Sequence, residues 1–159
     1  MLEIITTGGT IDKTYNLISG ELSFEKSYIP VIIKNARLNI TPKITHLFTK
    51  DSLEITDNDR VQILNYCQTT KNNKIVITHG TDTMVKSAKL LSKIKDKIII
   101  FTGSMVPYSI QNSDAIFNLS FAIASVNYLE NGVYITMNGE IFEFDKVIKN
   151  TKLGVFKRL

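Results

Sequence analysis

Four short segments of the chain carry hydroxyl, carboxylate or amine side chains, most of them beside glycine, directly after apolar runs. They are residues 6–10 (TTGGT), 50–56 (KDSLEIT), 78–83 (THGTDT) and 102–107 (TGSMVP). A threonine hydroxyl can attack a carbonyl carbon when a neighbouring base or a desolvated lysine helps to remove its proton. Backbone amides in glycine turns can stabilise the resulting oxyanion. Together, the four segments indicate acyl transfer on a small polar amide.

Each segment has a plainer interpretation when it is taken alone. Residues 6–10 are compatible with a tight turn, a phosphate cradle or the seat of a nucleophile, because glycine adopts backbone angles that other residues avoid. Their spacing does not match a dinucleotide-binding fingerprint, and no P-loop lysine follows them. Asp82 could cap a helix, and His79 could be a buried histidine with satisfied hydrogen bonds. The combination of segments favours a site, in which Asp82 would bind an ammonium group of the substrate.

Short apolar runs alternate with segments of helical periodicity along the chain. We predict strands at residues 2–7, 43–48, 74–78, 97–102 and 133–137, and helices at residues 27–36, 56–69, 82–92 and 113–128. This alternation predicts one three-layer α/β domain over residues 1–159, Rossmann- or flavodoxin-like, with a mostly parallel sheet. A turn at Asn138-Gly139 predicts a short β-hairpin near the C-terminus.

The predicted sheet gives the polar segments a common location. Ligands of an open parallel sheet bind at the carboxyl ends of its strands, and the four segments follow predicted strands. If those strands are neighbours, four side chains converge on one crevice. They are Thr10, Ser52, Thr81 and Asp82.

The helical patterns also predict buried faces. In residues 56–69, one side of the helix carries Val61, Leu64 and either Cys67 or Gln68. The predicted buried side of the longest helix comprises Ile116, Phe117, Leu119, Ala122, Ile123 and Val126. We expect residues 150–159 to be loosely held.

Composition narrows the class of protein. The net charge is +4, but arginine occurs only at positions 37, 60 and 158 and the lysines are scattered, so we expect a solvated surface and no nucleic-acid partner. The longest apolar run, residues 98–101, is far too short to span a membrane. The single cysteine, Cys67, cannot form an internal disulfide, and the chain begins on a strand-like run. We therefore expect a cytoplasmic protein. His46 and His79 are isolated, which predicts no metal site.

Two of the segments carry a family resemblance. Residues 7–11 (TGGTI) and 78–84 (THGTDTM), in this order, resemble the paired signatures of the bacterial-type L-asparaginase/glutaminase family. The likeness continues in residues 102–107 (TGSMVP), 113–119 (SDAIFNL) and 133–138 (VYITMN). It therefore extends over nearly the whole chain.

The resemblance implies catalytic roles. Thr10 matches the threonine nucleophile that forms the acyl-enzyme, and Thr81 matches the second essential threonine. Asp82 matches the carboxylate that holds the α-amino group of the substrate. Lys149, counted on from residues 137–138, falls where the family has its active-site lysine. Thr81, Lys149 and Asp82 would then form a hydrogen-bonded set in which a neutral lysine accepts a proton.

The resemblance also implies a substrate-binding serine and a loop tyrosine. Ser52 aligns with the serine that binds the α-carboxylate of the substrate. Tyr15 is the candidate for the mobile-loop tyrosine, with Tyr28 as the alternative. Leu53 and Val106 depart from the family, which often has polar residues at these two positions. Because of Leu53, we expect weaker recognition of the α-carboxylate.

The resemblance covers an N-terminal catalytic domain alone, because family members also carry a C-terminal domain. One hypothesis is a compact amidohydrolase that closes its site by forming a homodimer or homotetramer. The other is a non-catalytic amino-acid-binding or regulatory module. The presence of Thr10 and Lys149 favours the enzyme, which would hydrolyse L-asparagine, or L-glutamine, without a metal or organic cofactor. The expected product from L-asparagine is L-aspartate, with release of ammonia.

Overall fold

The computed structural model describes residues 1–159, and each predicted strand and helix has a counterpart in it. Two antiparallel strand pairs, residues 13–15 with 22–24 and 147–150 with 155–158, are additional to the prediction. The strands are β1 (Leu2–Gly8), β2 (Lys13–Tyr15), β3 (Leu22–Phe24), β4 (Lys43–Lys50), β5 (Lys74–Thr78), β6 (Ile98–Thr102), β7 (Gly132–Met137), β8 (Glu140–Glu143), β9 (Val147–Asn150) and β10 (Val155–Arg158). The helices are α1 (Ile29–Asn35), α2 (Asp57–Thr69), α3 (Met84–Leu91) and α4 (Ala115–Ser125). The predicted α/β class is confirmed.

The centre of the molecule is a six-stranded sheet in the order β4-β1-β5-β6-β7-β8. The first five strands in this order are parallel, and only β8 runs antiparallel, to β7. The carboxyl ends of β4, β1, β5 and β6 therefore lie side by side at one edge of the sheet. Two further antiparallel pairs, β2–β3 and β9–β10, lie outside it.

The sheet has an apolar core on each face, as three layers require. One core contains Ile63 and Cys67 of α2 together with Met84, Ala88 and Leu91 of α3. The other contains Ile29 and Ile32 of α1 together with Ala115, Leu119 and Ala122 of α4. The isoleucine-rich strands β1, β5 and β6 supply side chains to both cores, which is typical of a parallel sheet buried on both faces.

The predicted C-terminal hairpin is confirmed as β7–β8. Asn138 and Gly139 form its turn with φ angles of +55° and +80°. Two consecutive residues with positive φ match the type I′ turn, whose twist suits the flanking strands.

Two predicted helix faces are wrong in part. On α4, Ile116 and Phe117 are 52% and 60% exposed. The buried stripe of α4 runs instead through Ala115, Asn118, Leu119 and Ala122, because only that side of the helix faces the sheet. Ile116 and Phe117 lie between two residues of this stripe in sequence, but successive helical residues are turned by about 100°, so their side chains point away from the sheet.

On α2, Val61 is likewise exposed, and the buried stripe is Arg60, Ile63 and Cys67. The helix does begin at the predicted start of residues 56–69, where Thr56 and Asp59 form a capping box. The Thr56 hydroxyl accepts a hydrogen bond from the Asp59 amide, and the Asp59 carboxylate accepts one from the Thr56 amide.

The last ten residues are better anchored than predicted. Strands β9 and β10 pair in antiparallel register, with Phe156 opposite Lys149. Phe156 is buried in the core, and its amide donates a hydrogen bond of 2.9 Å to Oδ1 of Asn138. No helix of this chain combines the length and the apolar character needed to cross a membrane.

Candidate active site

Glycine residues bring the strand ends into direct backbone contact. A Cβ atom on Gly9 would lie 2.4 Å from the amide nitrogen of Gly80, and one on Gly80 would lie 2.5 Å from Cβ of Ser52. Gly9 also has a φ of +84° with a ψ of 177°, a region that is essentially restricted to glycine. The turns after β1, β5 and β4 therefore touch only because these positions lack side chains. The turns after β1 and β4 carry Thr10 and Ser52, and the turn after β5 carries both Thr81 and Asp82.

Thr81, Asp82 and Lys149 meet in a hydrogen-bonded cluster. Lys149 Nζ donates to Thr81 Oγ1 at 2.7 Å and to Asp82 Oδ1 at 2.6 Å. The Thr81 side chain is buried, and the Lys149 side chain is only 17% exposed. Ser52 Oγ donates to the other carboxylate oxygen, Asp82 Oδ2, at 3.4 Å. Four of the six predicted site residues are thus linked in one chain of hydrogen bonds, which runs from Thr81 through Lys149 and Asp82 to Ser52.

The β9–β10 strand pair places Lys149 in this cluster. Lys149 lies on β9 opposite the buried Phe156 of β10. Asn138 holds this strand pair through its bond to the Phe156 amide, and the Asn138 amide in turn donates to Oδ1 of Asn118 at 3.2 Å. The position of Lys149 therefore depends on a polar chain that begins on helix α4.

Asn118 and Asp114 are site-supporting residues that the sequence analysis did not identify. Asn118 Nδ2 donates to Gly103 O at 3.0 Å and to Asp114 Oδ2 at 2.9 Å. The Asp114 carboxylate accepts from the amides of Met105 and Val106 at 2.9–3.0 Å. The signal available in the sequence was Asn118, a polar residue on the buried stripe of an apolar helix. A buried side-chain amide needs hydrogen-bond partners, so its presence there indicates a polar contact.

Thr10 is the first residue of a short 3₁₀ turn (Thr10–Asp12) that follows Gly9. Asp12 anchors this turn, because its Oδ1 accepts from Ser27 Oγ and from the Tyr28 amide, both at 2.9 Å. Burial raises the pKa of Asp12, and these two hydrogen bonds oppose that increase. Gly9, which precedes Thr10, is in close contact with Gly80, which precedes Thr81.

The two candidate tyrosines occupy different settings. Tyr15 ends β2 on the outer hairpin, and its side chain is 55% exposed. Tyr28 precedes α1 and packs against Tyr108, with 5.3 Å between the ring centroids. Tyr28 is thus part of the packing around Asp12, and Tyr15 remains the free candidate for a loop side chain.

His79 is a buried structural histidine, as its plainer interpretation predicts. Its Nδ1 lies 2.7 Å from the Gly80 carbonyl oxygen, which can only accept, so this nitrogen carries the proton. Nε2 accepts from Ser87 Oγ at 2.8 Å. Burial lowers the pKa of His79 to about 4 and keeps the ring neutral. Its role in the site is to fix the peptide that precedes Thr81.

The site is an open edge of the sheet. Three surface grooves, with volumes of about 530, 490 and 330 Å³, lie away from the cluster: beside β4 and α1, between α2 and α3, and between α1 and α4. No three His, Cys, Asp or Glu side chains come together as a metal-binding group.

The fold and the site define an α/β domain with a threonine, lysine and aspartate cluster at the strand ends. The chain belongs to the asparaginase family, since the family model described as "Asparaginase, N-terminal" matches residues 1–156. The predicted family membership is confirmed.

This chain is similar to known asparaginases in both sequence and structure. The glutaminase-asparaginase of Acinetobacter glutaminasificans is 30% identical over 167 residues, which cover 94% of this chain and 50% of the relative. L-asparaginase 1 of Escherichia coli (strain K12) is 29% identical over 156 residues, covering 90% of this chain and 45% of the relative. The thermostable L-asparaginase from Thermococcus kodakarensis superposes with a TM-score of 0.85 at 29% identity, covering 99% of this chain and 51% of that one. The chain spans about half the length of these relatives.

Proposed function

We propose that the protein is an amidohydrolase that converts L-asparagine to L-aspartate and ammonia through a threonine acyl-enzyme. The observation that carries the proposal is the contact of Lys149 with both Thr81 and Asp82. An amine that touches a buried threonine hydroxyl can take its proton when the amine is neutral. The relatives named above are asparaginases and a glutaminase-asparaginase, which supports the same reaction class.

The proposed reaction begins with attack of Thr10 Oγ1 on the side-chain amide carbon of the substrate. The hydroxyl proton passes to the set formed by Thr81 and Lys149, and backbone amides beside Gly9 and Gly80 stabilise the oxyanion. Protonation of the leaving nitrogen releases ammonia and leaves an acyl ester on Thr10. Water then hydrolyses the ester, which yields L-aspartate and restores the Thr10 hydroxyl.

The proposed substrate contacts use Asp82 and Ser52. The Asp82 side chain is 42% exposed, so its carboxylate is open to an ammonium group. Ser52 Oγ, hydrogen-bonded to Asp82, would turn to the α-carboxylate. Leu53 is exposed and adds no hydrogen-bond donor from its side chain. Tyr15 would close over the substrate from the β2–β3 hairpin.

Ammonia release from purified protein tests the proposal. We expect turnover of L-asparagine. The transition-state binding free energies of L-asparagine and L-glutamine should differ by about 1–3 kcal/mol, the usual effect of one methylene in a pocket. Thr10→Ala and Thr81→Ala should abolish turnover while the circular dichroism spectrum is retained. Thr69→Ala is the matched control, because Thr69 Oγ1 bonds only to carbonyls of its own helix.

The second hypothesis, a non-catalytic amino-acid-binding module, has its own signature. Binding of L-aspartate or L-asparagine without ammonia release from any amide would favour it. In that case Asp82→Ala should abolish binding, whereas Thr10→Ala should leave binding unchanged.

We further infer that residues 1–159 form one domain that assembles into a homo-oligomer, a dimer or a tetramer. Both apolar cores share one sheet, which supports a single cooperative unit. The exposed side chains of Ile116 and Phe117 on α4, with Phe121 stacked on Phe117 at 6.5 Å, support a self-interface.

Light scattering coupled to size-exclusion chromatography tests the oligomer. We expect a mass of at least twice 17.9 kDa, and a shift to the monomer in Phe117→Asp. Leu159→Asp, at an exposed position at the chain end, should leave the mass unchanged. A monomeric parent protein would contradict the assembly.

The cytoplasm is the proposed location, and a small-molecule amide is the proposed partner. The one thiol, Cys67, is free and buried, and burial raises its pKa to about 12, so it is unreactive. A free, unreactive thiol is compatible with a reducing compartment.

A further inference from the structure

Lys13 lies where three loops of the site meet. It follows Thr10 by three residues and begins β2, the strand that ends in Tyr15. Its ammonium group forms an ion pair with Asp51 Oδ2, and its backbone carbonyl accepts a hydrogen bond of 2.9 Å from Ser109 Oγ. Lys13 therefore connects the turns that follow β1, β4 and β6.

The Lys13 side chain is held in place on its own hairpin. Its Nζ lies 5.6 Å from the ring centroid of Phe24, the β3 residue paired with Lys13. A cation over an aromatic face is attracted by the negative ring face. The Lys13 side chain is only 20% exposed, so its charge is partly withdrawn from water and needs a partner.

Asp51 meets this need and at the same time shapes the turn that carries Ser52. Its Oδ1 accepts a hydrogen bond of 3.1 Å from the Leu53 amide. Ser52 therefore lies between two residues, Asp51 and Leu53, that are held to each other. Burial acts to raise the pKa of Asp51, but the hydrogen bonds from Lys13 and Leu53 and the charges of Lys13 and Lys149 outweigh it, so the pKa lies below its ordinary value. Asp51 is therefore charged at neutral pH.

We propose that the Lys13–Asp51 ion pair is a positioning clamp that holds the Ser52 turn against the segment carrying Thr10 and Tyr15 before the substrate arrives. Most exposed ion pairs contribute little to stability. This pair differs because it joins two loops that lie 38 residues apart in the chain, so it restricts the relative motion of the two sides of the site. As a statement about substrate affinity, the inference rests on the proposed function; as a statement about loop order, it stands without it.

Hydrogen–deuterium exchange tests loop order without any turnover. In Lys13→Met, residues 10–24 and 50–56 should exchange about fivefold faster, because losing a partly buried ion pair of about 1 kcal/mol raises the open population by that factor. Lys13→Arg keeps the charge and should restore protection. Lys86→Met is the matched control, since it removes the exposed Lys86–Asp57 pair outside the site.

Steady-state kinetics distinguish positioning from general stability. A site whose binding-competent form is less populated shows a weaker apparent affinity while saturating substrate recovers the rate. For Lys13→Met we expect KM for L-asparagine, and Kd for L-aspartate, to rise about fivefold with kcat within about twofold. Asp51→Asn should match it, and the double variant should be no worse than either single variant. Lys13→Arg should restore KM, and Lys86→Met should not change it.

Two results would overturn the clamp. One is unchanged exchange in both segments of a folded Lys13→Met protein. The other is additive loss in the double variant. If the parent protein released no ammonia from any amide, the proposed function would fail, and the exchange experiment would still decide the clamp.

Discussion

Lys149 and His79 illustrate how a side chain acquires its role from its surroundings. Lys149 belongs to a lysine-rich stretch of sequence, yet its amine contacts Thr81 and Asp82, residues 67–68 positions away. His79 stands next to Gly80 in the same signature as Thr81, yet it is enclosed and hydrogen-bonded on both ring nitrogens. Nearby residues of one motif therefore divide into proposed reactive groups and supporting groups according to their hydrogen-bond partners.

His79 should remain neutral down to a pH of about 4, and its imidazole resonances should titrate with that midpoint in NMR spectra. Because its pKa is about 4 when folded and 6.5 when unfolded, the unfolded chain binds a proton first as the pH falls. Its contribution to stability is therefore complete above pH 6.5 and is lost progressively between pH 6.5 and 4, by up to about 3 kcal/mol.

Urea unfolding at pH 6.5 and 5 measures this loss. The pH dependence in this window should weaken in His79→Gln, which cannot bind a proton. An unaltered dependence would contradict the assignment.

The strand-end turns are the elements that build the site. β1, β4 and β5 deliver Thr10, Ser52 and Thr81 to one edge, and glycines remove the side chains that would separate the turns. The register of the sheet sets the level of these turns, because Thr6 of β1 lies opposite Thr78 of β5. Steric contact at glycine is therefore as much a part of the site as its polar groups.

Gly9→Ala should be strongly destabilising, because its Cβ would overlap the backbone of Gly80 and alanine avoids the Gly9 backbone angles. We expect a loss of at least about 3 kcal/mol in the free energy of unfolding, measured by urea titration. Gly154→Ala is the matched control. Gly154 also has a positive φ, of +64°, but no atom lies within 4 Å of its added Cβ. The control should lose only about 1 kcal/mol, the strain of the backbone angle alone. Equal losses would show that overlap with Gly80 is unimportant.

Across the whole molecule, the two ends of the sheet carry different polar groups. The carboxyl ends carry the proposed site, whereas the opposite end holds a buried charge, Glu3 of β1. Four side chains donate hydrogen bonds to it: Thr45, Tyr66, Thr70 and Asn72. Lys43 Nζ lies 3.0 Å from the carboxylate. These groups come from the start of β4, from the end of α2 and from the segment before β5, so the network ties the starts of β1, β4 and β5 to the end of α2.

Glu3→Gln should destabilise the protein without altering the site. Burial acts to raise the pKa of Glu3, but the hydrogen bonds from Asn72, Thr45, Thr70 and Tyr66 outweigh it and hold the pKa at about 2, against 4.5 for a free side chain. The stabilisation, up to about 3 kcal/mol, is present above pH 4.5 and is lost as the pH falls towards 2. The difference in unfolding free energy between parent and variant should therefore be large at pH 7 and should shrink towards pH 3, while KM at pH 7 stays unchanged. A constant difference would contradict the charge-based explanation.

The amino-acid sequence by itself determined the alternation of strands and helices, the β7–β8 turn, the capping box of α2 and the candidate groups at the strand ends. These features depend on short-range periodicity and on turn chemistry, both of which are local. Local pattern could not assign the exposed side of α4 or the burial of Arg60 on α2, because each depends on which side of the helix faces the sheet.

The tertiary structure decided which distant residues meet. It brought Lys149 to Thr81 through the polar chain of Asn118 and Asn138, and it paired Lys13 with Asp51 across two turns. Such contacts follow from strand order and register, which no single segment of sequence contains. The physical reason is that a side chain tens of residues away becomes a neighbour only after the sheet between the two has formed.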